Sequence, residues 1–304
     1  MLRYPVSTMK ATRRIPFVQL DVFTAHPLEG NQLAVFPDGR GLDATKMQRL
    51  AREMNLSETT FIIPRDEAEE RERGVRVRIF TVEEELRFAG HPTLGTASYI
   101  YSVTDRHVVE LDLDVGKIPV RFTRDADGVV HGEMTQRDPE FGAEHSAKAI
   151  AAATAVPLEW IDTSLPIQTV STGMAFVMVP LKGLDAMRQL SFDQRKAAQY
   201  LAKTDGKFFY WVTRETVQST STLHARMIFY NGEDPATGSA AGCCAAWAVR
   251  HGVLASDSPG TIEQGLEMLR PSWIHIRASR KGDTVSNVRV GGETVEVIRG
   301  EVTI

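Results

Sequence analysis

Cysteine, an excess of one charge and long apolar runs are all scarce in this sequence of 304 residues. The two cysteines, Cys243 and Cys244, are adjacent, which excludes a disulfide framework and is typical of a reducing compartment. The 35 Lys and Arg residues against 39 Asp and Glu residues leave a net charge of −4, which excludes a nucleic-acid binder that depends on bulk positive charge. No apolar run approaches the roughly 18–20 residues that cross a bilayer. We therefore expect a cytoplasmic protein that binds neither nucleic acid nor membrane.

Cofactor and metal motifs are also missing. The sequence has no G-x-G-x-x-G or Walker pattern, so nothing in it supports nucleotide binding. It has no H-E-x-x-H or C-x-x-C motif, and its eight histidines are scattered without the spacing of metal ligands. We therefore predict that the protein uses neither a cofactor nor a metal. Arg13-Arg14 resembles part of an export signal, but Gln19 and Asp21 interrupt the following apolar stretch, so a frayed leader over residues 1–15 is favoured.

Strand-like and helix-like segments alternate along the chain. Residues 17–23 and 56–63 have the apolar patterns of strands, and Asp43 caps a helix that Asn55 ends. The alternation predicts an α/β or α+β fold. At roughly 150 residues per domain, the length predicts about two domains.

Two further segments have less clear patterns. Residues 66–73 are a run of acids and bases, which predicts a solvated hairpin tip. Residues 191–202 predict a helix that begins with a Ser191–Gln194 capping box. Pro139 and Gly142 break the pattern near the middle of the chain. We therefore divide the chain into residues 1–140 and 141–304, and this division allows the last strand to return to the first domain.

An internal repeat is the clearest signal in the sequence. Residues 91–97 (HPTLGTA) and 234–240 (DPATGSA) align without gaps in the frame X-Pro-x-x-Gly-[Ser/Thr]-Ala, at an offset of 143 residues (234 − 91). An Arg-containing strand precedes each copy, and a run of small and apolar residues follows it. The pattern predicts two related domains, each with a strand, a turn and a buried helix.

The repeated frame has a functional interpretation and a structural one. A Pro at the first helical position, unpaired backbone N–H groups and a nearby Gly would let each helix start hold a carboxylate. This interpretation makes Gly90, Gly238 and Ser239 candidate substrate-binding residues. The alternative is that both frames only begin helices, with Asp234 as an ordinary N-cap. His91 is a poor N-cap in the equivalent place, and spacing alone leaves both interpretations open.

Glu58 is a candidate acid–base residue. At period two it shares a strand face with Leu56, Thr60 and Ile62. Burial of a carboxylate on such a face would raise its pKa toward neutrality, as a general acid or base requires. The alternative, a Glu on an edge strand that leans into water, stays open and is the favoured one when Glu58 is considered alone.

Taken together, these segments resemble the PhzF-like family, which is named for phenazine biosynthesis. The resemblance is carried by residues 29–31 (EGN), 51–59 (AREMNLSET), 88–93 (FAGHPT) and 232–240 (GEDPATGSA). It extends over nearly the whole chain. It implies a diaminopimelate-epimerase-like fold, in which each of two pseudo-symmetric domains wraps a sheet around a central helix and the active site lies between them. It also implies a cofactor-independent isomerase that is usually a homodimer.

The resemblance also implies roles for particular residues. The catalytic glutamate of the family motif falls on Glu58, and the substrate-contacting histidine and aspartate fall on His91 and Asp234. Gly90 and Ser239 lie beside them, and Asn31 in the first matching segment is predicted to contact substrate. Gln32 stands where the family commonly has Pro, and Leu269 stands where it often has Gly.

These observations predict an isomerase that moves a proton on a small carboxylated metabolite by Glu58 acid–base catalysis. An epimerase or racemase of an amino or hydroxy acid on the same fold is one alternative. A non-catalytic protein that binds a small acid is the other. Racemisation by two thiols is disfavoured because Cys243 and Cys244 lie in one half of the chain.

Overall fold

The computed structural model describes residues 13–229 and 232–304. The predicted leader lies mostly outside the described residues, as do the first 12 residues of the predicted first domain.

From residue 13 onward, the first part of the chain contains eight strands and three helices. The strands are β1 (Arg14–Val22), β2 (Asn31–Phe36), β3 (Glu58–Ile63), β4 (Val75–Phe80), β5 (Glu85–Leu86), β6 (Val108–Leu113), β7 (Gly116–Arg124) and β8 (Val130–Thr135). The helices are α1 (Ala44–Met54), α2 (Glu67–Arg73) and α3 (Gly90–Thr104).

The second part contains ten strands and four helices among the described residues. The strands are β9 (Glu140–His145), β10 (Ile167–Ser171), β11 (Ala175–Pro180), β12 (Phe208–Thr213), β13 (Leu223–Phe229), β14 (Gly232–Asp234), β15 (Gly260–Gln264), β16 (Ser272–Lys281), β17 (Thr284–Gly292) and β18 (Thr294–Thr303). The helices are α4 (Ala147–Thr154), α5 (Leu184–Arg188), α6 (Gln194–Leu201) and α7 (Gly238–Arg250). Leu158–Trp160 and Leu266–Met268 form short 3-10 turns.

The two parts repeat one order of strand pairings. In the first part, β2 is parallel to β3, β3 antiparallel to β4, and β4 parallel to β6. In the second, β11 is parallel to β12, β12 antiparallel to β13, and β13 parallel to β15. The pairings of β1 with β18 and of β8 with β17 join the two parts. The α/β class with two pseudo-symmetric, epimerase-like units is confirmed, whereas the boundary at residue 140 stays a prediction.

The helices α3 and α7 are the central elements of the two units. Side chains in α7 are mainly small, and all but Ser239 and Arg250 of its 13 residues are buried. A helix that is apolar all round belongs in a core. It packs against β10, β11, β16 and β17, while α3 packs against strands of the first unit and against the start of α7.

The two repeated segments align differently in the structure than they do by residue type. The helices begin at Gly90 and Gly238, which are 148 residues apart (238 − 90), whereas the frame gave 143. Pro92 is the third residue of α3, and Pro235 precedes α7, so the prediction of Pro at the first helical position is wrong in both copies. Asp234 ends β14 and Thr237 is the cap residue, so the N-cap interpretation of Asp234 is also wrong.

Two local predictions are also wrong. Residues 67–73 form helix α2 instead of a hairpin tip, because Asp66 accepts a hydrogen bond from the Glu69 backbone and caps the segment. Helix α6 begins at Gln194 rather than Ser191, because Asp193 is the residue that caps it. In contrast, Asp43 caps α1 and Asn55 ends it in the left-handed conformation, as predicted.

Candidate active site

A cleft of about 310 Å³ lies where the starts of α3 and α7 meet. Both units contribute to its walls. From the first unit come residues 55–58, the segment after β4 and the start of α3. From the second come Met174, Lys207, Phe208, Phe229 and residues 232–234 and 237–239. The cleft therefore brings together the predicted residues Glu58, Gly90, His91, Asp234, Gly238 and Ser239.

Glu58 is the first residue of β3 and lines the cleft. Its side chain is only 16% exposed, and its Oε2 lies 3.5 Å from Nε2 of His91. Within the described residues neither of these two atoms has a hydrogen-bond partner. Burial, together with the negative charge of Asp234, raises the pKa of Glu58 to about 8. The carboxyl group therefore changes protonation near neutral pH, as a proton shuttle must.

His91 is the second residue of α3 and is almost fully buried. Burial lowers its pKa to about 3, although a hydrogen bond with the Gln32 backbone acts in the opposite direction. Its Nδ1 lies 3.3 Å from the side-chain nitrogen of Asn31. The imidazole is therefore neutral at physiological pH, and its Nε2 edge faces Glu58.

Asp234 is held by a network of neutral donors. Asn31 donates from Nδ2 to its Oδ1 at 2.8 Å, and the Thr237 hydroxyl donates to its Oδ2 at 2.6 Å. Gln264 donates to the Asp234 backbone carbonyl at 2.8 Å. Burial raises the pKa of Asp234 to about 6, while the bonds from Thr237 and Asn31 oppose this rise.

Asn31 is buried beneath the cleft and does not line it. The same amide nitrogen donates to Asp234 and to the Ala236 carbonyl, and it faces His91. The structure therefore places the predicted substrate-contacting Asn31 behind two of the cleft residues. From there it can orient both side chains.

The starts of α3 and α7 are in backbone contact. A Cβ atom on Gly90 would lie 2.7 Å from the Ser239 nitrogen and 2.8 Å from the Gly238 carbonyl carbon. Only glycine allows this approach at Gly90. Since the first N–H groups of a helix have no partner within it, two sets of free donors and two positive dipole ends converge on the cleft. The arrangement can hold a carboxylate.

The pseudo-symmetry does not extend to the reactive side chains. In the first unit Phe61 pairs with Arg78, and in the second Trp211 pairs with Arg226, so Phe61 and Trp211 are equivalent positions. Three residues earlier in each strand, Phe208 is the counterpart of Glu58. Leu86 pairs with Ile79 in the first unit and Asp234 pairs with Met227 in the second, so Leu86 is the counterpart of Asp234. One unit supplies Glu58 and His91, and the other supplies Asp234.

Sequence reasoning missed three apolar residues that line the cleft. Met174, Phe208 and Phe229 give the cleft an apolar side that suits a ring or an unsaturated chain. No motif marks these residues, since aromatic residues in strands are ordinary core residues by pattern. Only the strand register, which aligns Phe208 with Glu58, identifies the position.

The two cysteines lie away from the cleft. Cys243 and Cys244 are buried within α7, and neither lines the cleft. Burial raises the pKa of Cys243 to about 11 and raises that of Cys244 as well. Neither thiol is available as a thiolate base at neutral pH.

The fold and the shared cleft are those of isomerases and epimerases built from two matching halves. The PhzC-PhzF family model, described as phenazine biosynthesis-like protein, matches residues 20–300, and the chain belongs to this family. Trans-2,3-dihydro-3-hydroxyanthranilate isomerase of Pseudomonas fluorescens is 34% identical over 289 residues, which cover 95% of this chain and 99% of that protein. The protein is therefore an isomerase of the PhzF type.

Solved structures agree on the fold. The phenazine biosynthesis protein of the PhzF family from Bacillus anthracis superimposes with a TM-score of 0.85 at 24% identity, covering 96% of this chain and all of that one. A probable proline racemase from Agrobacterium radiobacter has a TM-score of 0.63 at 9% identity, with 95% and 92% of the two chains covered. Among the described residues, no helix combines the length and the apolar character that a bilayer crossing requires.

Proposed function

We propose that this isomerase moves a proton between two carbons of a small carboxylated metabolite, with Glu58 as the base and then the acid. The observation that carries the proposal is the position of Glu58. Its carboxyl group is nearly buried in a cleft beside His91, Oε2 has no partner among the described residues, and its pKa is about 8. A group with this pKa can both take and return a proton near pH 7.

The proposed reaction is a 1,3 proton shift. The Glu58 carboxylate removes a proton from a carbon that an adjacent double bond makes acidic, and the electron pair of the broken C–H bond moves into the conjugated system. The protonated Glu58 then returns the proton to another carbon on the same face, and the double bond takes its new position. Atoms and electrons balance without a cofactor.

The converging helix starts support the binding of the substrate carboxylate. The backbone N–H groups near Gly90, Gly238 and Ser239, with the Ser239 hydroxyl, are the donors on this side of the cleft. Because these donors are fixed before the substrate arrives, they also stabilise negative charge that develops as the proton leaves.

His91 and Asp234 would orient the polar substituents of the substrate. Neutral His91 faces Glu58 with an unpaired ring nitrogen, and Asp234 presents a carboxyl group with a pKa of about 6. An amino or hydroxyl group placed between them would set which carbon faces Glu58. Either residue can also relay a proton to a heteroatom.

The first substrate to test is trans-2,3-dihydro-3-hydroxyanthranilate, the compound named for the relative from Pseudomonas fluorescens. It contains a carboxylate, polar substituents and a conjugated ring. These match the helix starts, the His91–Asp234 pair and the apolar wall of the cleft, respectively. The cleft volume of about 310 Å³ suits a single six-membered ring.

Two alternatives are less well supported. An epimerase that inverts a carbon with two bases needs a second base across the substrate, but the counterpart of Glu58 is Phe208. A protein that only binds a small acid would not need a carboxyl group with a pKa near 8 in its binding site. Inversion at one carbon without movement of a double bond would identify the epimerase, and saturable binding without proton exchange would identify the binding protein.

The test is Glu58→Gln, which keeps the size of the side chain and removes its basicity. We expect enzyme-dependent exchange of substrate C–H with deuterium, followed by NMR, to fall by about 10²–10⁴-fold. Glu83→Gln is the matched control, because Glu83 also lines the cleft but is exposed, and it should retain the parent rate. Exchange at the parent rate in Glu58→Gln would show that Glu58 is not the base.

A further inference from the structure

Three metal-ligating side chains meet outside the cleft. His131 lies on β8, His275 lies on β16, and Glu293 lies between β17 and β18. One ligand atom from each lies within 4.8 Å of the other two. None of the three lines the cleft. No sequence motif marks this group, because its members are far apart in the chain and come together only through the β8–β17–β16 pairing.

We propose that His131, His275 and Glu293 bind a divalent transition-metal ion, and that zinc is the ion their chemistry suits best. Two imidazole nitrogens and a carboxylate oxygen are ligands that zinc prefers, and water can complete a four-coordinate site. The site is separate from the isomerase chemistry. It also runs against the expectation from spacing alone, which was that the protein has no metal.

Asp125 binds the far ring nitrogen of His131, as carboxylates commonly do for metal-binding histidines. Nε2 of His131 lies 3.0 Å from Oδ2 of Asp125, and Nδ1 of the same ring faces Glu293. A carboxylate on the far nitrogen fixes the orientation of a ligating imidazole and increases its basicity. Asp125 is itself fixed, because its Oδ1 accepts hydrogen bonds from the Asp127 and Val129 backbones.

Two of the three separations between ligand atoms need only small adjustments to enclose an ion. Nδ1 of His131 lies 2.6 Å from Oε1 of Glu293, and Nε2 of His275 lies 3.9 Å from the same oxygen. Ligand atoms about 2.1 Å from a tetrahedral zinc ion are roughly 3.4 Å apart. One separation must open and the other must close, each by less than about 1 Å. Rotation of the half-exposed His275 side chain can close the second separation, and rotation of the Glu293 carboxylate can open the first.

The site lies where the chain passes between the units. The Glu293 backbone carbonyl accepts hydrogen bonds from Phe23 and Thr24, and Phe23 lies against Gly292 and Gly238. An ion on the Glu293 side chain would tie β8, β16 and this crossing segment together. We therefore expect the metal to raise thermal stability rather than to take part in the isomerisation.

An ion pair is the competing account of the same geometry. A protonated His131 between Asp125 and Glu293 would satisfy both carboxylates without any metal. That account gives no role to His275, whose Nε2 is 3.9 Å from Glu293. His275 is therefore the residue that separates the two accounts.

The experiment uses untagged full-length protein that has been treated with a chelator and dialysed. Co²⁺ is titrated and the visible absorption bands of the bound ion are followed, after which Zn²⁺ is added in competition. The melting temperature is measured in parallel with and without Zn²⁺. The variants are His275→Ala, which removes a ligand, and Asp125→Asn, which weakens the support of His131 but keeps a side-chain oxygen for the turn. His107→Ala, an exposed histidine elsewhere, is the matched control.

We expect the parent and His107→Ala to bind Co²⁺ stoichiometrically, to release it to Zn²⁺ and to melt at a higher temperature with Zn²⁺. Asp125→Asn should bind about 10–100-fold more weakly, and His275→Ala at least as weakly. Absence of Co²⁺ bands in the parent, or equal affinity in His275→Ala and the parent, would overturn the proposal. Either result would leave the ion pair as the account of this group, and neither bears on the role of Glu58.

Discussion

At the scale of single residues, Glu58, His91 and Asp234 share one cleft, and burial shifts the pKa of each in the direction that favours the neutral form of the side chain. The two carboxyl groups have raised pKa values of about 8 and about 6, and the imidazole has a lowered pKa of about 3. Between pH 6 and 8 the three groups therefore carry only one negative charge, on Asp234. The cleft therefore avoids two buried like charges, and neutral pH lies within about one unit of the pKa of Glu58.

The rate of the isomerase should rise with pH through the pKa of Glu58. A general base acts in its deprotonated form, which becomes the main form of Glu58 above about pH 8. We expect kcat/KM, measured on the free enzyme, to increase roughly tenfold per pH unit below that value and to level off above it. A rate that is flat between pH 6 and 9 would contradict a base with this pKa.

Replacement of Asn31 should damage both stability and activity, although its side chain does not reach the cleft. Asn31→Leu removes the donor to Asp234 Oδ1 and to the Ala236 carbonyl, and it leaves both acceptors buried. We expect a loss of about 1–3 kcal/mol in the free energy of unfolding, measured by urea denaturation.

The same variant should also raise the pKa of Asp234, because the Asn31 hydrogen bond lowers it. NMR titration of the Asp234 carboxyl carbon measures this pKa. An unchanged pKa with the expected loss of stability would mean that Asn31 supports packing and does not orient Asp234.

At the scale of elements, the contact between the starts of α3 and α7 determines the site. The first turns of the two helices meet at Gly90, Gly238 and Ser239, and each helix is long enough to have a full dipole. The hairpins before the helices carry matching braces, Arg78 with Glu85 and Arg226 with Glu233, each formed by two hydrogen bonds. The braces fix both hairpins in the same way relative to the helix that follows.

Gly90→Ala should force the two helix starts apart. The new methyl group would lie 2.7–2.9 Å from backbone atoms of Gly238 and Ser239, which cannot rotate away. We expect a loss of about 1–3 kcal/mol in the free energy of unfolding and weaker binding of a substrate carboxylate.

Gly238→Ala is the matched comparison, since its methyl group would first meet the Phe23 ring at 3.1 Å. We expect this variant to lose less stability than Gly90→Ala, because a ring can shift more easily than backbone. Urea denaturation of both variants measures the order. Equal losses would show that the close backbone contact at Gly90 is not what limits the space.

The helices and caps were predictable where one local interaction determines them. Asp43 and Asn55 bound α1 as predicted, because cap chemistry acts within a few residues. The structural alignment of the two repeated segments could not be predicted from their residue types. Gly95 and Gly238 align in the frame, but Gly95 lies in the second turn of α3, whereas Gly238 begins α7. The true equivalence appears only in the long-range pairing of strands.

The cleft was predictable in part for the same reason. Glu58, His91 and Asp234 belong to recognisable motifs and do meet in the cleft. The position of Asn31 behind them, the apolar wall at Phe208 and the His131–His275–Glu293 group depend on contacts between distant segments. Local sequence patterns contain no information on such contacts.

At the scale of the whole molecule, the 18 strands of the described residues form one connected sheet, and β1 and β18 pair with each other. β1 and β18 are antiparallel along nearly their full lengths, and β8 pairs with β17. The homodimer that the family resemblance implies stays a prediction. Light scattering on the purified chain should give about twice the mass of one chain.

The stability of the whole chain should decrease as pH rises from about 6.5 to 8. The folded state holds the Glu58 proton until about pH 8, whereas the unfolded state releases it near its ordinary value of 4.5. The folded state therefore binds more protons over this range, and the free energy of unfolding falls with increasing pH.

Below about pH 6.5, His91 acts in the opposite sense, because its pKa in the folded state is lower than its ordinary value. The two effects oppose each other there. Above that pH His224 adds to the Glu58 effect, because burial of its ring is outweighed by its hydrogen bonds with Glu263 and Glu267, which raise its pKa above the ordinary value of 6.5. Glu58→Gln should make the decrease between pH 6.5 and 8 shallower and leave the His224 contribution, as measured by urea denaturation across pH. Parallel curves for the variant and the parent would contradict the raised pKa of Glu58.

Phe208 occupies the position in the second unit that Glu58 occupies in the first, and this asymmetry has a practical consequence for redesign. One half of the duplicated scaffold holds Glu58, the proposed proton-transfer group, and the other half lines the same cleft with Phe208 and Phe229. Changes at Phe208, Phe229 or Met174 can therefore alter which ring or chain is accepted while the proton-transfer group keeps its surroundings on β3. A library that randomises only these three positions would retune selectivity on an intact catalyst.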